Sequence, residues 1–287
     1  MNHSVDFLER EYNARLSIPD HPHIFARWAE QGAAARHRRA CLLDLAYGDS
    51  HAERLDLFPA RKDDAPLLVF IHGGYWRSLD KSDFSWIAPP FVQHGVAVAL
   101  TNYDLAPRTT IEDMVRQQLK ALAWLYRHGD SLGYDPEHII VCGHSAGAHL
   151  AVMMMAALWD AYAPDLPRTL VKGGLAISGL YDLEPLVHAP FIQCDLQLDV
   201  QRARALSPIY LPPATKAPLI TSVGPLESSE FKRQTAEIER AWKKVFQRSV
   251  DAPDCNHLTI ADELERTDSP LQLAALELVR ASAHKGR

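Results

Sequence analysis

The sequence predicts an α/β fold in which a mostly parallel central sheet carries helices on both faces. Three segments, 67–71, 96–100 and 138–142, are continuously apolar, which is typical of parallel strands covered on both faces. Segments with helical periodicity lie between them, and 111–128 carries its apolar residues on one side. Strands that alternate with helices build such sheets through right-handed crossovers. The 287 residues suffice for one large domain of this kind.

The first element along the chain is an N-terminal arm, residues 1–40, which is predicted to be helical. Pro19 and Pro22 interrupt the helical pattern, since proline disrupts a helix interior. Phe25 and Trp28 are the apolar side chains that we expect to anchor the arm.

Further strands and helices follow from apolar patterning and from turn signals such as Tyr47–Ser50. The predicted strands are 41–46, 53–58, 171–177, 218–223 and 248–251, and the predicted later helices are 148–159, 228–246 and 270–283.

One long connection, residues 182–213, does not fit the alternation of strands and helices. It is rich in proline and has short apolar patches around Phe191 and Leu196. A connection of this length in a compact domain is usually a lid or cap. We therefore expect a single domain, 1–287, in which an α/β core carries the arm 1–40 and a small lid at 182–213.

Composition narrows the classes of partner. The chain has 30 Lys+Arg against 36 Asp+Glu, a formal net charge of −6, which argues against nucleic acid as a partner. No apolar run is long enough to span a bilayer, so no membrane association is expected. The N-terminus lacks the pattern of a secretory signal, and the 4 cysteines lie far apart, so we expect a cytoplasmic protein.

The most specific chemical motif is Gly143-His144-Ser145-Ala146-Gly147, between the strand 138–142 and an apolar helix. This strand–turn–helix context is that of a nucleophile elbow, in which a strained turn exposes a serine hydroxyl above the sheet. The small glycines allow neighbouring backbone to approach closely. Ser145 is therefore the candidate nucleophile.

A second glycine-rich motif, His72-Gly73-Gly74-Tyr75-Trp76, follows the strand 67–71. Backbone N–H groups near Gly73 and Gly74 are free to point at a developing oxyanion, and the N–H of Ala146 supplies a partner donor. We therefore predict an oxyanion hole from Gly73, Gly74 and Ala146. His72 and His144 are interpreted as structural hydrogen-bonding residues.

A serine nucleophile requires a base and an acid that orients the base, in the chain order serine, acid, histidine. His257 is the candidate base because it lies in a loop after the strand 248–251 and before the last helix. Glu227 follows the strand 218–223 and is the first candidate acid. Asp254 is the next candidate, and Asp182 and Asp251 also stay open. Helix capping is the alternative role of Glu227.

No pattern indicates a cofactor or a metal. The chain has no H-E-x-x-H motif, no paired cysteines, no Walker-type loop and no dinucleotide fingerprint.

These motifs resemble those of the α/β-hydrolase kynurenine formamidases (arylformamidases) and of the carboxylesterases grouped with them. The resemblance spans nearly the whole chain. The segments that carry it are 11–15, 72–76, 143–150, 178–186, 229–234 and 256–257.

The resemblance implies an α/β-hydrolase fold with Ser145 as nucleophile, His257 as base and the acid at position 227. The family usually has aspartate where this chain has Glu227. The resemblance also implies two-step acyl transfer through an acyl-enzyme. Tyr75, Trp76 and Phe191 are then candidates for an aromatic substrate pocket, with core packing as the alternative for Trp76.

Three functions follow as hypotheses. The first is hydrolysis of N-formylkynurenine or a similar N-formyl arylamine, and the second is carboxylesterase activity on short acyl esters. The third is a non-catalytic ligand-binding protein of the same fold, against which an intact Ser145 argues. The partner is then a small-molecule ester or amide substrate, and a homodimer is possible.

Overall fold

The computed structural model describes residues 4–283, in which eight strands form one sheet. The strands are β1 (Leu42–Ala46), β2 (Arg54–Phe58), β3 (Ala65–Ile71), β4 (Ala97–Thr101), β5 (Tyr134–His144), β6 (Val171–Ile177), β7 (Leu219–Ser222) and β8 (Phe246–Val250). Their order across the sheet is β1-β2-β4-β3-β5-β6-β7-β8.

The sheet is mostly parallel. Strand β2 runs antiparallel to both of its neighbours, β1 and β4, and all later pairs are parallel. Because parallel neighbours need a crossover between them, helices separate these strands along the chain. The predicted mostly parallel α/β sheet is thus confirmed.

Helices precede the sheet and connect its strands. They are α1 (Val5–Tyr12), α2 (Ala14–Ser17), α3 (His21–Arg38), α4 (Ala88–Gln93), α5 (Ile111–Leu132), α6 (Ala146–Ala156), α7 (Trp159–Tyr162), α8 (Pro190–Leu196), α9 (Val200–Ala205), α10 (Ser229–Ala241), α11 (Thr259–Asp262) and α12 (Pro270–Ala283). Short 3-10 helices cover Lys81–Ile87, Glu184–His188 and Pro208–Tyr210.

The two faces of the sheet have separate hydrophobic cores, as the central strand β3 illustrates. Leu67, Val69 and Ile71 join the core that contains α5, α6 and α10. Leu68 and Phe70 join the core that contains α3, α4 and α12. Successive side chains of a strand point to opposite faces, so an unbroken apolar segment is buried on both sides.

Helix α5 is longer than the predicted segment 111–128. The side chain of Thr110 accepts a hydrogen bond from the backbone N–H of Asp113 at 3.2 Å, which caps the start of the helix. The helix ends at Gly133, whose φ of 81° is in the left-handed region that glycine adopts without strain.

The arm consists of the three helices α1, α2 and α3. Pro19 lies between α2 and α3, where the predicted interruption occurs. Pro22 instead lies in the first turn of α3, where the missing N–H costs no hydrogen bond, so no interruption occurs there. Helix α1 packs against α10, and α3 packs against the 3-10 helix Lys81–Ile87.

The predicted lid, residues 182–213, contains α8, α9 and two of the 3-10 helices. In the part of the chain that the structure describes, no helix has the length and apolar character needed to cross a membrane.

Candidate active site

Ser145 occupies a strained turn between β5 and α6. Its φ of 56° and ψ of −122° lie in a region that residues with a side chain rarely adopt. A Cβ atom on Gly143 would lie 2.2 Å from the carbonyl oxygen of Gly147. A Cβ atom on Gly147 would lie 2.0 Å from the carbonyl oxygen of Ile71. The turn therefore requires glycine on both sides of the serine.

The structure brings Ser145, His257 and Glu227 together in one hydrogen-bonded line. His257 Nε2 is 2.9 Å from Ser145 Oγ, and His257 Nδ1 is 2.6 Å from Glu227 Oε2. An ionised carboxylate only accepts, so the Nδ1 proton faces Glu227 and Nε2 accepts from the serine hydroxyl. This is the arrangement in which a histidine removes a proton from a serine nucleophile.

The side chain of Glu227 is fully buried and held by further donors. Its Oε1 accepts hydrogen bonds from Ser178 Oγ at 2.5 Å and from the backbone N–H of Gly224 at 2.7 Å. These bonds leave Oε2 for His257. Buried carboxylates need such partners, because an unpaired buried charge is costly.

The other candidate acids lie elsewhere. Asp251 and Asp254 are exposed to solvent. Asp182 is partly buried, and its carboxylate accepts from the backbone N–H of Glu184 at 3.1 Å and faces Arg233 at 3.8 Å. Of the four carboxylates considered, Glu227 is the one within hydrogen-bond distance of the His257 ring.

The predicted oxyanion donors border the serine. Helix α6 begins at Ala146, and the first N–H groups of a helix have no partner within the helix. Gly73 lies on the other side: a Cβ atom there would be 3.1 Å from Ser145 Cβ. Gly74 has a φ of 109°, which turns the loop after β3. A carbonyl oxygen bound at Ser145 thus has backbone amides nearby.

His144 and His72 support the site from the core. His144 Nε2 donates to the carbonyl oxygen of His257 at 2.6 Å, and burial lowers the pKa of His144 to about 3, which keeps it neutral. His72 stacks on Tyr103 with 4.4 Å between ring centroids and is 3.0 Å from Asn102 Oδ1. Burial lowers the pKa of His72 as well.

A cavity of about 30 Å³ reaches Ser145 and His257. Part of its wall comes from the arm, through Ala14, Arg15 and Phe25. The predicted lid 182–213 contributes none of the residues that line this cavity. The arm is therefore the roof above the serine.

A larger cavity of about 200 Å³ lies beside the first and shares Ala14 and His257 with it. Its lining includes Glu227 and Phe231, and the ring of Phe231 lies 4.2 Å from that of His257 between centroids. Arm residues again supply one wall.

The three predicted aromatic pocket residues occupy different positions. Tyr75 lines the Ser145 cavity, and its hydroxyl donates to the backbone oxygen of Tyr12. Trp76 is fully buried in the core, with its ring edge-on to His149 at 5.2 Å between centroids. Phe191 packs edge-on against Tyr75 at 5.4 Å between centroids. Neither Trp76 nor Phe191 is among the cavity-lining residues.

Sequence reasoning did not identify Ser178, Phe231 or Arg15 as parts of the site. Ser178 has a φ of 52° just after β6 and lies in the segment 178–186, where the family resemblance was the available signal. Arg15 lies in the segment 11–15, where the family resemblance was the available signal. Within residues 4–283, no group of three or more His, Cys, Asp or Glu side chains is placed to hold a metal ion.

Comparisons with known proteins identify the family to which the chain is related. The BD-FAE family model matches residues 55–161. The kynurenine formamidase of Salmo salar is 30% identical, over 96% of this chain and 97% of the relative. The kynurenine formamidase of Danio rerio is 29% identical, over 97% of this chain and 98% of the relative.

Solved structures show the same fold. A candidate thioesterase from Silicibacter sp. tm1040 superposes with a TM-score of 0.82 at 28% identity, covering 92% of this chain and 96% of that one. Esterase B from Lactobacillus rhamnosis superposes with a TM-score of 0.71 at 18% identity, covering 91% of this chain and 96% of that one. The fold is that of the α/β-hydrolases, and the near full-length relationship places the chain in the kynurenine formamidase family of hydrolases.

Proposed function

We propose that this protein is a serine hydrolase that cleaves the formamide bond of N-formylkynurenine or a closely similar N-formyl arylamine. The observation that carries the proposal is the hydrogen-bonded line Ser145–His257–Glu227 in a chain related over nearly its whole length to kynurenine formamidases. The hydrogen-bonded residues account for the chemistry, and the relationship to kynurenine formamidases indicates the substrate class.

In the first half of the reaction, Ser145 Oγ attacks the formyl carbon while His257 Nε2 takes the serine proton. The carbonyl oxygen becomes an oxyanion beside the amides of Ala146 and the Gly73–Gly74 loop, where preorganised donors stabilise it. The C–N bond then breaks, and His257 returns its proton to the leaving arylamine nitrogen. Glu227 stays ionised and stabilises the charged imidazole.

In the second half, water attacks the formyl-serine ester as His257 accepts a proton from the water. The ester bond to Ser145 Oγ breaks, the proton returns to the serine, and formate leaves. The same base therefore serves both halves, and no cofactor takes part in the proposed route.

The cavity at the nucleophile has room for a formyl group. Its volume of about 30 Å³ accommodates roughly two water molecules. Formyl has one carbon and one oxygen and is the smallest acyl group. The larger arylamine then extends out of this cavity, past the arm residues at its mouth.

The decisive experiment compares kcat/KM for N-formylkynurenine with that for p-nitrophenyl acetate and p-nitrophenyl butyrate. We expect the formamide to be the preferred substrate, and butyrate to be the poorer ester. A clear preference for the esters would instead support the second candidate, a carboxylesterase, because the same fold also serves esterases such as Esterase B.

The control variant is Ser145→Ala. If Ser145 is the nucleophile, the variant loses at least about 10³-fold in kcat on both substrate classes. Full activity in this variant would show that the serine assignment is wrong.

We also propose that the protein works in the cytoplasm. Its four cysteines, Cys41, Cys142, Cys194 and Cys255, are all free thiols. Free thiols are the usual state in a reducing compartment. Fractionation of cells that produce the protein, followed by detection in the cytosolic fraction, tests this proposal.

A further inference from the structure

Arg15, on α2 of the arm, is a cation beside the active-site cavity. It lines the cavity that contains Ser145 and His257. Among residues 4–283, no carboxylate forms an ion pair with it. Its side chain is partly buried, so water solvates the guanidinium incompletely. Binding of an anion beside such an incompletely solvated charge is energetically favourable.

Arg15 is held in place by two contacts. Its Nη2 donates to Ser78 Oγ at 2.5 Å, and its guanidinium carbon lies 5.2 Å from the ring centroid of Phe25. The cation–π contact and the hydrogen bond limit the positions of the side chain. A fixed guanidinium loses less conformational entropy when it binds a ligand.

The neighbouring cation, Arg77, is already neutralised. It pairs with Asp195 at 2.5 Å and donates to the carbonyl oxygen of Phe191 at 2.7 Å. Burial lowers the pKa of Arg15, and the positive charge of Arg77 lowers it further. Arginine nevertheless stays protonated, so its positive charge at the cavity remains uncompensated.

The residues that line the cavity differ in solvent exposure, and this difference indicates where each part of a substrate lies. Ser145 and His257 are buried, whereas Arg15 and Phe25 are partly exposed. The reacting serine is therefore at the bottom of the cavity and the arm residues are at its mouth. Arg15, Phe25 and Tyr75 line the same cavity as Ser145, so a leaving group attached to an acyl group at Ser145 would lie near them.

We propose that Arg15 binds a carboxylate carried by the leaving group and thereby selects aryl formamides with an acidic side chain. The planar guanidinium fork matches a carboxylate in bidentate geometry. Phe25 and Tyr75 flank the position of the aryl ring. This inference rests on the proposed function, because it assigns the specificity of the same site.

The test compares two formamides: N-formylkynurenine, which carries a carboxylate, and formanilide, which does not. In Arg15→Gln we expect kcat/KM for N-formylkynurenine to fall by roughly 10- to 100-fold, mainly through KM, as for loss of a charged hydrogen-bond pair. The value for formanilide should fall much less, so that the ratio of the two kcat/KM values falls by roughly tenfold or more. Arg38→Gln, an exposed arginine at the end of α3, is the matched control and should change neither value.

If Arg15 had only a structural role, Arg15→Gln would affect the kinetics of the two formamides differently from this expectation. Ser78 Oγ also donates to the carbonyl oxygen of Gly74 at 2.9 Å, so Arg15 is linked to the oxyanion loop. If Arg15 only supported that loop, Arg15→Gln would reduce kcat equally for both formamides, and the proposal would be overturned. Ser78→Ala keeps the charge, and we expect it to retain most of the preference for N-formylkynurenine.

A binding measurement separates this inference from the proposed function. Kynurenine and 2-aminoacetophenone share the aryl ketone, but only kynurenine has the carboxylate. Both compounds are tested as inhibitors of p-nitrophenyl acetate hydrolysis. In Arg15→Gln we expect the inhibition constant of kynurenine to rise roughly tenfold and that of 2-aminoacetophenone to stay unchanged. The proposal would be overturned if kynurenine inhibited wild type and variant equally, or if it did not inhibit the wild type. This test applies even if formamides are not substrates.

Discussion

The hydroxyl of Tyr12 donates a hydrogen bond to Glu230 Oε2 at 2.5 Å and so joins the arm helix α1 to α10. Both residues are buried, and Arg233 completes the cluster through a bond to Glu230 at 2.9 Å. The backbone oxygen of Tyr12 also accepts from the hydroxyl of Tyr75 in the loop after β3. A single residue therefore fixes the roof of the site to two parts of the core.

We expect Tyr12→Phe to lower the free energy of unfolding by about 1–3 kcal/mol, because the buried carboxylate of Glu230 loses a donor. Chemical denaturation measures the change. The matched control is Tyr126→Phe, which removes an exposed hydrogen bond to Glu137 of 2.7 Å and should cost less than about 0.5 kcal/mol. Equal losses in the two variants would show that the Tyr12 bond contributes little to stability.

The assignment of the acid predicts a large effect of Glu227→Gln. An amide at this position no longer fixes the Nδ1 proton of His257, and kcat should fall by roughly 10³- to 10⁴-fold. Asp254→Asn is the control, since Asp254 is exposed, and it should stay within about twofold of wild type. Steady-state kinetics on one substrate suffices. The reverse ranking of the two variants would reassign the acid.

Glu227→Asp tests the departure from the usual family acid. The shorter side chain withdraws the carboxylate by one C–C bond, about 1.5 Å, while Ser178 and Gly224 still compete for it. A displacement of this size should reduce kcat on the order of 100-fold. Activity equal to wild type would mean that the loop around position 227 adapts to either acid.

The oxyanion assignment predicts the effect of Gly73→Ala. Its Cβ atom would lie 2.8 Å from the carbonyl oxygen of His144, so the loop must move away from Ser145. Displaced donors should lower kcat by roughly 100- to 1000-fold, with a smaller effect on KM. The control is Gly95→Ala, which has open space around it and a φ of 78°, and should affect stability but not kcat. An unchanged kcat in Gly73→Ala would exclude this loop as donor.

Much of the fold follows from local patterns. The unbroken apolar segments at β3, β4 and β5 predict buried parallel strands, because burial on both faces leaves no polar positions. The helix Lys81–Ile87 and α4 were not predicted, since the prolines after Ala88 look like helix breakers. In the structure they occupy the first turn of α4, where proline is tolerated.

The candidate site was predictable where it depends on local strain and chain order. Ser145 follows from the glycine spacing, and His257 and Glu227 follow from their places after successive strands. The roof was not predictable, because the position of α2 above Ser145 depends on the packing of α1 against α10, far away in the sequence. Arg15 likewise comes to line the cavity only through tertiary structure.

The buried His149 predicts how stability depends on pH. Its Nε2 donates to the carbonyl oxygen of Leu206 at 2.7 Å, and burial lowers its pKa to about 4. In the unfolded chain a histidine has a pKa near 6.5, so between pH 6.5 and 4 the unfolded state binds more protons than the folded state. Acidification in this window therefore favours unfolding, by up to about 1.4 kcal/mol per pH unit for this residue.

We expect His149→Gln to remove this contribution, so that the free energy of unfolding depends less steeply on pH than in wild type. The slope between pH 6 and pH 5 should become shallower by roughly 1 kcal/mol per unit. Urea denaturation at several pH values measures it, and the exposed His94→Gln variant is the control that should keep the wild-type slope. The same slope in His149→Gln and wild type would mean that His149 takes up its proton in the folded protein.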